Sequence, residues 1–349
     1  MVMDARPMEI LNQKKIVVIQ TAFLGDAVLT LPMLEIVAIK NPNAKIDVVT
    51  IPKNSEIFLA SPFVNEVIIY DKRNKHKGIK ALFTFAKDLR QKNYNVIIAP
   101  HRSLRTSLLV LFSGIKESFG FSNAIFSLVY KYPVSYKYHL HETARNISLV
   151  SDDAEKIYSK YLPKVFFTDE IKQKVDEHLS SFHTGRKIIA IAPGSIWFTK
   201  RYPEEHFISL SRALIQKNYL ILLIGSEGEF NLNEEVRQAL NGNCINIAGK
   251  YSVVETIYLL TKCSLLITND SAPTHFGMAA NIPVMTIYCS TVPGFGFSPY
   301  NEKSSFVGLN NLACKPCGIH GYQECPLSHF NCGQKLLPEN VLEKLETLL

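Results

Sequence analysis

The chain has 349 residues and a net charge of +7, and 47% of its residues are hydrophobic while 20% are charged. This composition excludes a disordered chain. The chain is longer than a typical single domain, which predicts two domains. The positive charge suits anionic substrates or anionic lipid; without zinc-finger spacing, a basic helix or an aromatic RNA-binding signature, we expect no nucleic-acid partner.

The N-terminal segment, residues 1–13, is predicted to be a loose extension. It lacks the apolar core of a signal peptide. No apolar run elsewhere in the sequence is long enough to span a bilayer. From these features we expect a cytoplasmic protein.

From Lys15 onward, the first half of the sequence alternates β-branched apolar runs with segments of helical periodicity. Strands are predicted over residues 15–20, 45–50, 67–70 and 96–99, and helices over residues 55–60, 78–92 and 141–150. This alternation predicts a parallel sheet with helices on both faces. The segment 104–136, rich in Leu, Phe and Tyr, is interpreted as core or interface, although an exposed apolar patch that meets lipid would have the same composition.

The loop after the first predicted strand has the sequence FLGDAV. Gly25 allows a sharp turn there, and Asp26 lies where a helix N-cap is expected. A carboxylate at a helix start ordinarily has low basicity. Pro32 is predicted to kink the following helix or to restart it.

Two basic groups follow predicted strands of this half. Residues 72–80 contain five Lys and Arg side chains, which we interpret as a solvated loop or as a group that attracts an anionic acceptor or a membrane surface. The second group follows the fourth strand at its carboxyl end, where ligands of parallel sheets bind, and is the better placed of the two. Its members are His101, Arg102 and Arg105.

A second alternating domain begins at Lys187. Strands are predicted over residues 188–192, 219–224, 265–267 and 283–288, and helices over residues 253–262 and 338–349. Ser252 and Glu255 form a capping box for the first of these helices. Regular structure is expected to stop in the loop STVPGFGFSP. The predicted organisation is an N-terminal Rossmann-like domain over 1–160, a linker over 161–186 and a C-terminal Rossmann-like domain over 187–349, with a cleft between the domains.

The stretch LLITNDSAPTHFGMAA, residues 265–280, joins a buried strand to a helix through a polar elbow. The helix contains Gly277 and two Ala residues, so one of its faces is thin enough to lie close to a sheet. Asp270, Ser271 and His275 gather at the helix N-terminus, which offers N–H groups and partial positive charge to phosphate. The alternative is an ordinary helix capped by Asp or Ser, with His275 on its surface.

Seven cysteines are present, and four of them cluster in CKPCGIHGYQECPLSHFNC. Cys314 and Cys317 have the C-x-x-C spacing of a zinc site, with His320 and His329 nearby. Cys325 and Cys332 are spaced too widely for such a site. The sequence therefore favours reduced thiols in a loop, with structural zinc as the alternative.

Three loops carry the polar residues, and each follows a predicted strand: FLGDAV, APGSIWFTK and NDSAPTH. None contains G-x-G-x-x-G or the P-loop pattern, which argues against a dehydrogenase and an NTPase. The absence of G-x-S-x-G argues against an α/β-hydrolase.

The motifs VVIQTAFLGDAVLTLP, APGSIWFTKRYPEEHF and TNDSAPTHFGMAA, in this order and spacing, resemble the ADP-heptose:lipopolysaccharide heptosyltransferases, glycosyltransferase family 9. HETARN and CKPC…ECPLSHFNC resemble the heptosyltransferase II branch. The sequence departs from the family pattern at Ala272, where relatives often have Gly, which affects how closely a diphosphate approaches the backbone.

The resemblance implies an α/β protein of the GT-B class, with two Rossmann-like domains whose parallel sheets face each other across a cleft. It implies an inverting transfer of heptose from ADP-heptose to the lipid A–core acceptor, the inner core of lipopolysaccharide, with no metal ion and no cofactor. The N-terminal domain would bind the acceptor and the C-terminal domain the nucleotide sugar. The enzyme would be cytoplasmic and would contact the inner membrane peripherally, at its cytoplasmic face.

The resemblance also assigns roles to individual residues. Asp26 matches the base that accepts the acceptor hydroxyl's proton, and Lys200 matches the cation that faces the leaving diphosphate. The residues that match donor-binding positions are Ser195, Glu227, Tyr251, Asp270, Ser271, Ala272 and His275. Within that set, Ser195, Ser271, Ala272 and His275 would contact the diphosphate, Asp270 the sugar, Tyr251 the adenine and Glu227 the ribose. The basic group His101, Arg102 and Arg105 is expected to bind the acceptor.

Three other functions remain as alternatives. A family 9 transferase could use another nucleotide sugar. A nucleotide-sugar epimerase of similar two-domain shape would consume the donor without an acceptor. A non-enzymatic module would bind a nucleotide sugar or an anionic lipid without turnover.

Overall fold

The computed structural model describes residues 14–182 and 185–348, so the predicted extension over residues 1–13 lies outside the described residues. The chain divides into two α/β units, Met1–Phe166 and Phe167–Leu349. This division falls within the predicted linker 161–186. The helix Asp169–Ser180, which lies in that linker segment, belongs to the second unit.

The first unit contains a parallel six-stranded sheet with the strand order β3-β2-β1-β4-β5-β6. The strands are β1 (Lys15–Gln20), β2 (Lys45–Thr50), β3 (Glu66–Ile69), β4 (Val96–Ala99), β5 (Glu117–Phe121) and β6 (Tyr132–Val134). The helices are α1 (Leu24–Val28), α2 (Leu31–Lys40), α3 (Ser55–Leu59), α4 (Ile79–Gln91), α5 (Leu104–Ser113), α6 (Glu142–Ser148) and α7 (Ala154–Ile157).

The core of this unit explains why its central strands are apolar at nearly every position. The whole of β4 and residues 16–19 of β1 are buried, as expected for parallel strands covered on both faces. Val17 and Ile19 on one face pack with Leu82 and Phe85 of α4. A parallel sheet needs helical crossovers between its strands, and α4 is one of those crossovers.

The second unit contains a second parallel six-stranded sheet, with the order β12-β11-β10-β7-β8-β9. The strands are β7 (Ile188–Ala192), β8 (Leu220–Leu223), β9 (Ile245–Asn246), β10 (Leu265–Asn269), β11 (Val284–Tyr288) and β12 (Ser305–Gly308). The helices are α8 (Asp169–Ser180), α9 (Glu204–Gln216), α10 (Phe230–Ala239), α11 (Val253–Leu260), α12 (Ala272–Ala279), α13 (Asn331–Gln334) and α14 (Pro338–Leu345).

The two sheets share one topology. In each sheet, the first three strands run in chain order from the centre to one edge. The last three strands run in chain order from the centre to the other edge, with the fourth strand beside the first. The order reverses between β1 and β4 in the first unit and between β7 and β10 in the second. Ligands of open α/β sheets bind at the carboxyl ends of the strands at such switch points. The fold therefore marks one candidate position in each unit.

The predicted thin face of α12 is confirmed by the packing at Gly277. A Cβ atom at this position would lie 2.3 Å from Val284 Cγ2 and 3.1 Å from Leu266 Cδ2. Val284 and Leu266 belong to β11 and β10, so any larger side chain would push α12 off the sheet. Gly277 thus lets the C-terminal half of α12 pack directly against β10 and β11.

The α/β class with parallel sheets is confirmed, as is the capping box at Ser252 and Glu255. Pro32 restarts a helix, since α1 ends at Val28 and Pro32 occupies the first turn of α2. Residues 104–136, interpreted as core or interface, form α5, β5 and β6, in which Leu109, Phe119 and Phe121 are buried in the core. The expectation that regular structure stops in STVPGFGFSP was wrong, because Ser305–Gly308 adds a parallel edge strand. That strand is short and has one neighbour, so its sequence pattern is weak.

No helix within residues 14–182 and 185–348 is long and apolar enough to cross a bilayer.

Candidate functional site

The switch point of the first unit brings polar groups together at the carboxyl ends of β1 and β4. Thr21 follows β1 and His101 follows β4, and Thr21 Oγ1 lies 2.9 Å from His101 Nδ1. Lys72 Nζ donates a 2.7 Å hydrogen bond to the carbonyl oxygen of Thr21. Lys72 thus lies at this strand end, whereas the sequence placed it in an undivided basic run. Lys72 is recognised as part of this site only from its contact with Thr21 in the structure.

Asp26 lies inside α1, which corrects its predicted place as an N-cap. The cap position is occupied by Phe23, and Asp26 is the third residue of the helix. Its own carbonyl oxygen accepts a 2.7 Å hydrogen bond from Thr30 Oγ1. The side chain is therefore held by a short helix that follows the central strand directly.

The predicted low basicity of Asp26 is also wrong. Burial of its carboxyl raises the pKa to about 7, and the negative charge of Glu142 adds to the rise. Hydrogen bonds from backbone N–H groups and the charge of Arg102 act in the opposite direction but do not cancel it. A carboxylate with a pKa near neutrality is suited to act as a general base.

Glu142 belongs to a buried network at the start of α6. Its Oε2 accepts hydrogen bonds from Tyr136 Oη and Arg145 Nη1, each at 2.9 Å. Arg145 is fully buried and also donates from Nε to the carbonyl oxygen of Lys137 at 3.0 Å. Since both partners are buried and bonded, the Glu142 carboxylate is held in a fixed position from which its charge acts on Asp26. Glu142 and Arg145 both belong to the sequence motif HETARN, but only the fold brings this motif close to Asp26.

The three predicted acceptor residues differ in how they are engaged. Burial, together with the charges of Lys72 and Arg102, lowers the pKa of His101 to about 4, so its ring is neutral near pH 7. The guanidinium of Arg102 lies 4.0 Å from the ring centroid of Tyr136. Arg105 holds the preceding loop, because its Nε donates to Tyr70 Oη at 2.6 Å and its Nη2 donates to the carbonyl oxygen of His76.

The switch point of the second unit is occupied by an ion pair. Lys200 ends the 3-10 turn after β7, and Asp270 follows β10. Lys200 Nζ lies 2.7 Å from Asp270 Oδ2 and also donates to the Asp270 carbonyl oxygen at 3.2 Å. The same Oδ2 accepts a 2.7 Å hydrogen bond from Thr291 Oγ1. Thr291 follows β11 and was missed from the sequence, because only the sheet order brings it next to Asp270.

The N-terminus of α12 begins two residues after Asp270. Ser271 makes no side-chain cap to this helix, and Pro273 occupies its first turn. His275 is 5% exposed, so its alternative placement on the helix surface is wrong. Burial and the charge of Lys200 lower its pKa to about 3, and among the described residues its Nδ1 has no hydrogen-bond partner. A helix N-terminus with a buried, neutral imidazole beside it can receive an anionic group.

Asn269 joins the two loops that meet at this switch point. Its Nδ2 donates to the carbonyl oxygens of Pro193 and Gly194, at 2.6 and 3.3 Å, and its Oδ1 accepts from the backbone N–H of Tyr202 at 2.9 Å. The loop that contains Ser195 and Lys200 is therefore tied to the end of β10. Ser195 is buried in this loop.

Glu227 and Tyr251 follow the neighbouring strands β8 and β9. Gly249 has a φ of +73°, and a Cβ atom there would lie 2.8 Å from Glu227 Cα, so the two segments are in contact. Glu227 is exposed. Tyr251 Oη pairs with Nδ1 of His178, and Lys174 Nζ lies 5.8 Å from the Tyr251 ring centroid. Both predicted donor residues thus lie on the same sheet edge as Lys200 and Asp270.

The cysteine-rich tail carries free thiols. Burial and neighbouring thiols raise the pKa of Cys317 and Cys332, the latter to about 11. Within the described residues, no three His, Cys, Asp or Glu side chains are grouped so that they could hold a metal ion.

The family model described as glycosyltransferase family 9 (heptosyltransferase) matches residues 82–325. The chain belongs to glycosyltransferase family 9. This family 9 enzyme is 25% identical to the lipooligosaccharide heptosyltransferase 2 of Haemophilus influenzae, over 96% of this chain and 99% of that protein.

Two solved structures share the fold of this family 9 glycosyltransferase. ADP-heptose LPS heptosyltransferase II of E. coli superposes with a TM-score of 0.77 at 23% identity, covering 96% of this chain and 98% of that chain. A family 9 glycosyl transferase from Veillonella parvula superposes with a TM-score of 0.85 at 23% identity, covering 98% of both chains. The predicted GT-B class is confirmed.

Proposed function

We propose that this glycosyltransferase moves heptose from ADP-heptose to the inner core of lipopolysaccharide, with inversion at the anomeric carbon and without a metal ion. Family membership and the relatives named as heptosyltransferase 2 support the choice of sugar and acceptor. The observation that carries the chemistry is the arrangement of Lys200, Asp270 and His275 at the N-terminus of α12.

In this proposal the second unit binds the donor, with the diphosphate at the N-terminus of α12. The backbone N–H groups of Ser271 and Ala272, the imidazole of His275 and the Lys200 ammonium supply hydrogen bonds and positive charge. Ser195 contacts the same diphosphate from the β7 loop. As ADP leaves, charge grows on the phosphate oxygens, and groups already fixed at that point lower the barrier.

Asp270 is proposed to contact a hydroxyl of the heptose. In the structure its Oδ2 is bonded to Lys200 and Thr291, which holds the carboxylate at the sheet edge. Further along this edge, Glu227 would meet the ribose hydroxyls, and Tyr251 would pack on the adenine. The order of these residues follows the order of the strands β10, β7, β8 and β9.

Asp26 is proposed as the general base on the first unit. The acceptor hydroxyl oxygen forms a bond to the anomeric carbon while the bond from that carbon to the diphosphate oxygen breaks. The electron pair leaves with ADP, and Asp26 takes the hydroxyl proton. Because attack and departure occur on opposite faces, the configuration inverts. A pKa of about 7 lets Asp26 be ionised before the reaction and accept the proton during it.

The acceptor is an anionic lipid, and the first unit offers basic side chains at the same strand ends as Asp26. Lys72 and Arg102 lie there, with His101 between their segments as a neutral hydrogen-bonding group. Arg105 contributes by holding the loop that carries Lys72, through Tyr70 and the carbonyl of His76.

Peripheral contact with the inner membrane is proposed for an apolar turn of the first unit. Ile125 is 72% exposed and Leu128 is 90% exposed, and Phe126 between them is partly exposed. Exposed apolar side chains grouped in one turn are typical of surfaces that contact a membrane or a protein partner. Lys131 follows this turn and pairs with Glu117, and in this proposal it would also face anionic headgroups.

A donor screen tests the proposal. Purified protein, with a chelator present, should release ADP from ADP-heptose when a heptose-bearing core acceptor is added. Turnover with a different nucleotide sugar and none with ADP-heptose would indicate another family 9 transferase. Donor consumption without acceptor would indicate an epimerase, and binding without any turnover would indicate a binding module.

A further inference from the structure

Thr199, the residue before Lys200, is buried and bonded to two other loops. Its backbone N–H donates to the carbonyl oxygen of Tyr322 at 3.0 Å, and its Oγ1 accepts from the N–H of Tyr322 at 2.8 Å. Its carbonyl oxygen accepts from the N–H of Ser290 at 3.2 Å. The backbone next to Lys200 is therefore fixed from the cysteine-rich tail and from the loop after β11.

The tail segment 319–323 makes further contacts with the same turn. Gln323 Nε2 donates to the carbonyl oxygen of Ile196 at 3.1 Å. The His320 ring stacks on the Trp197 ring, with centroids 6.2 Å apart and an interplanar angle of 24°. These two contacts hold Ile196 and Trp197, the residues directly before the turn Phe198–Lys200.

Gly321 shows how closely this segment approaches Lys200. Its φ is +76°, and a Cβ atom there would lie 2.8 Å from Thr199 Oγ1, 3.0 Å from Ser290 Oγ and 3.4 Å from Lys200 Cγ. Any side chain at position 321 must displace the groups that hold the lysine. Gly318 has nearly the same φ, +78°, but a Cβ atom there would come no closer than 4.0 Å to another group, Tyr322 Oη.

We propose that segment 319–323 positions Lys200 for the donor diphosphate, acting through Thr199. This inference rests on the proposed donor site. The proposed donor-binding roles include no residue of the cysteine-rich tail, and this inference gives the tail a function. Without these bonds, the turn that carries Lys200 would keep its ties to Ser290, Asn269 and Asp270 but lose those to the tail. The Asp270 carboxylate is needed elsewhere once a donor binds.

The test compares Gly321→Ala with Gly318→Ala by calorimetric titration with ADP. Both substitutions impose the same left-handed backbone cost, and Gly321→Ala adds the steric clash, so Gly318→Ala controls for the backbone cost alone. Only Gly321→Ala displaces Thr199 and Lys200. We expect ADP binding to weaken about tenfold in Gly321→Ala, the size of a lost charged hydrogen bond, and to stay within about twofold of wild type in Gly318→Ala.

Combining Gly321→Ala with Lys200→Ala identifies the route of the effect. If the segment acts through Lys200, Gly321→Ala weakens ADP binding no further once Lys200 is absent. Equal binding by the two glycine variants, or full additivity with Lys200→Ala, would overturn the inference. Wild-type protein that fails to bind ADP would instead overturn the proposed function.

A second pair covers the case in which Gly321→Ala does not fold. Thr199→Val removes the hydroxyl that accepts the Tyr322 N–H, whereas Thr199→Ser retains it. The inference predicts weaker ADP binding for the Val variant and near wild-type binding for the Ser variant. Equal binding by both variants contradicts it.

Discussion

Lys200 Nζ and Asp270 Oδ2 lie 2.7 Å apart at the point where the strand order of the second sheet reverses. The pair joins a loop after β7 to the start of α12, although the two residues are far apart in sequence. A cation held at a helix N-terminus provides two sources of positive potential for one anionic group. This arrangement supports a diphosphate site.

Replacing Lys200 with Ala should reduce kcat by roughly 10²- to 10³-fold, the usual loss when a group facing developing charge is removed. KM for the donor should change less, since the charge is greatest in the transition state. The fold should persist because Thr291 still donates to Asp270. Steady-state kinetics measures this, with Lys217→Ala as the control, since Lys217 pairs on the surface with Glu346. Wild-type kcat in Lys200→Ala would show that the diphosphate is held elsewhere.

Turnover should depend on the ionisation of Asp26. Because burial raises its pKa to about 7, the base is protonated and inactive below that pH. We expect kcat to fall tenfold per pH unit on the acid side, and Asp26→Asn to abolish turnover while ADP binding is kept. A pH–rate profile with calorimetric ADP titration measures both. Full turnover in Asp26→Asn would exclude the assigned role.

The same pKa predicts a stability effect with a definite sign. The folded state binds the Asp26 proton more tightly than the unfolded state, so stability falls as pH rises from about 4 to about 7. Asp26→Asn removes this cost. Its free energy of unfolding should exceed that of wild type by up to about 4 kcal/mol at pH 8 and match it near pH 4. Urea unfolding at both pH values measures the difference.

Glu142→Gln should move the acid limb of the pH–rate profile to lower pH. The Glu142 charge raises the pKa of Asp26, so its removal lets Asp26 ionise at lower pH. Arg145 keeps its bonds to Tyr136 and the carbonyl of Lys137, and the variant retains one oxygen acceptor. A limb that stays in place while the thermal midpoint falls would mean that Glu142 only stabilises the fold.

The double variant Ile125→Ser with Leu128→Ser should bind anionic vesicles more weakly than wild type. Two exposed apolar side chains are lost from the proposed membrane-facing turn, and little folding energy is lost with them. Leu59→Ser is the control, since Leu59 is 69% exposed on α3. Vesicle co-sedimentation measures the effect. Equal sedimentation of all the proteins would remove this turn as the contact.

The sequence located the central strands because parallel strands buried on both faces are continuous apolar runs, as in Lys15–Gln20 and Ile188–Ala192. It also located the loops of Asp26, Lys200 and Asp270, because each directly follows such a strand. The short edge strand Ser305–Gly308 was not predicted. It pairs with one neighbouring strand, so its hydrophobic pattern is weak.

Properties that depend on tertiary neighbours could not be predicted. The raised pKa of Asp26 depends on burial and on Glu142, which the chain brings in much later. Lys72 and Thr291 reach the strand ends only through the sheet order. The burial of His275 depends on the packing of α12 against the sheet at Gly277.

The most direct test of the proposed function is ADP release from ADP-heptose, measured with and without a heptose-bearing core acceptor and followed by the anomeric configuration of the product. Heptose transfer from ADP-heptose predicts ADP release only when both substrates are present, and a product whose anomeric configuration is inverted relative to the donor. Release of ADP without acceptor, a product of retained configuration, or turnover only with a different nucleotide sugar would contradict it.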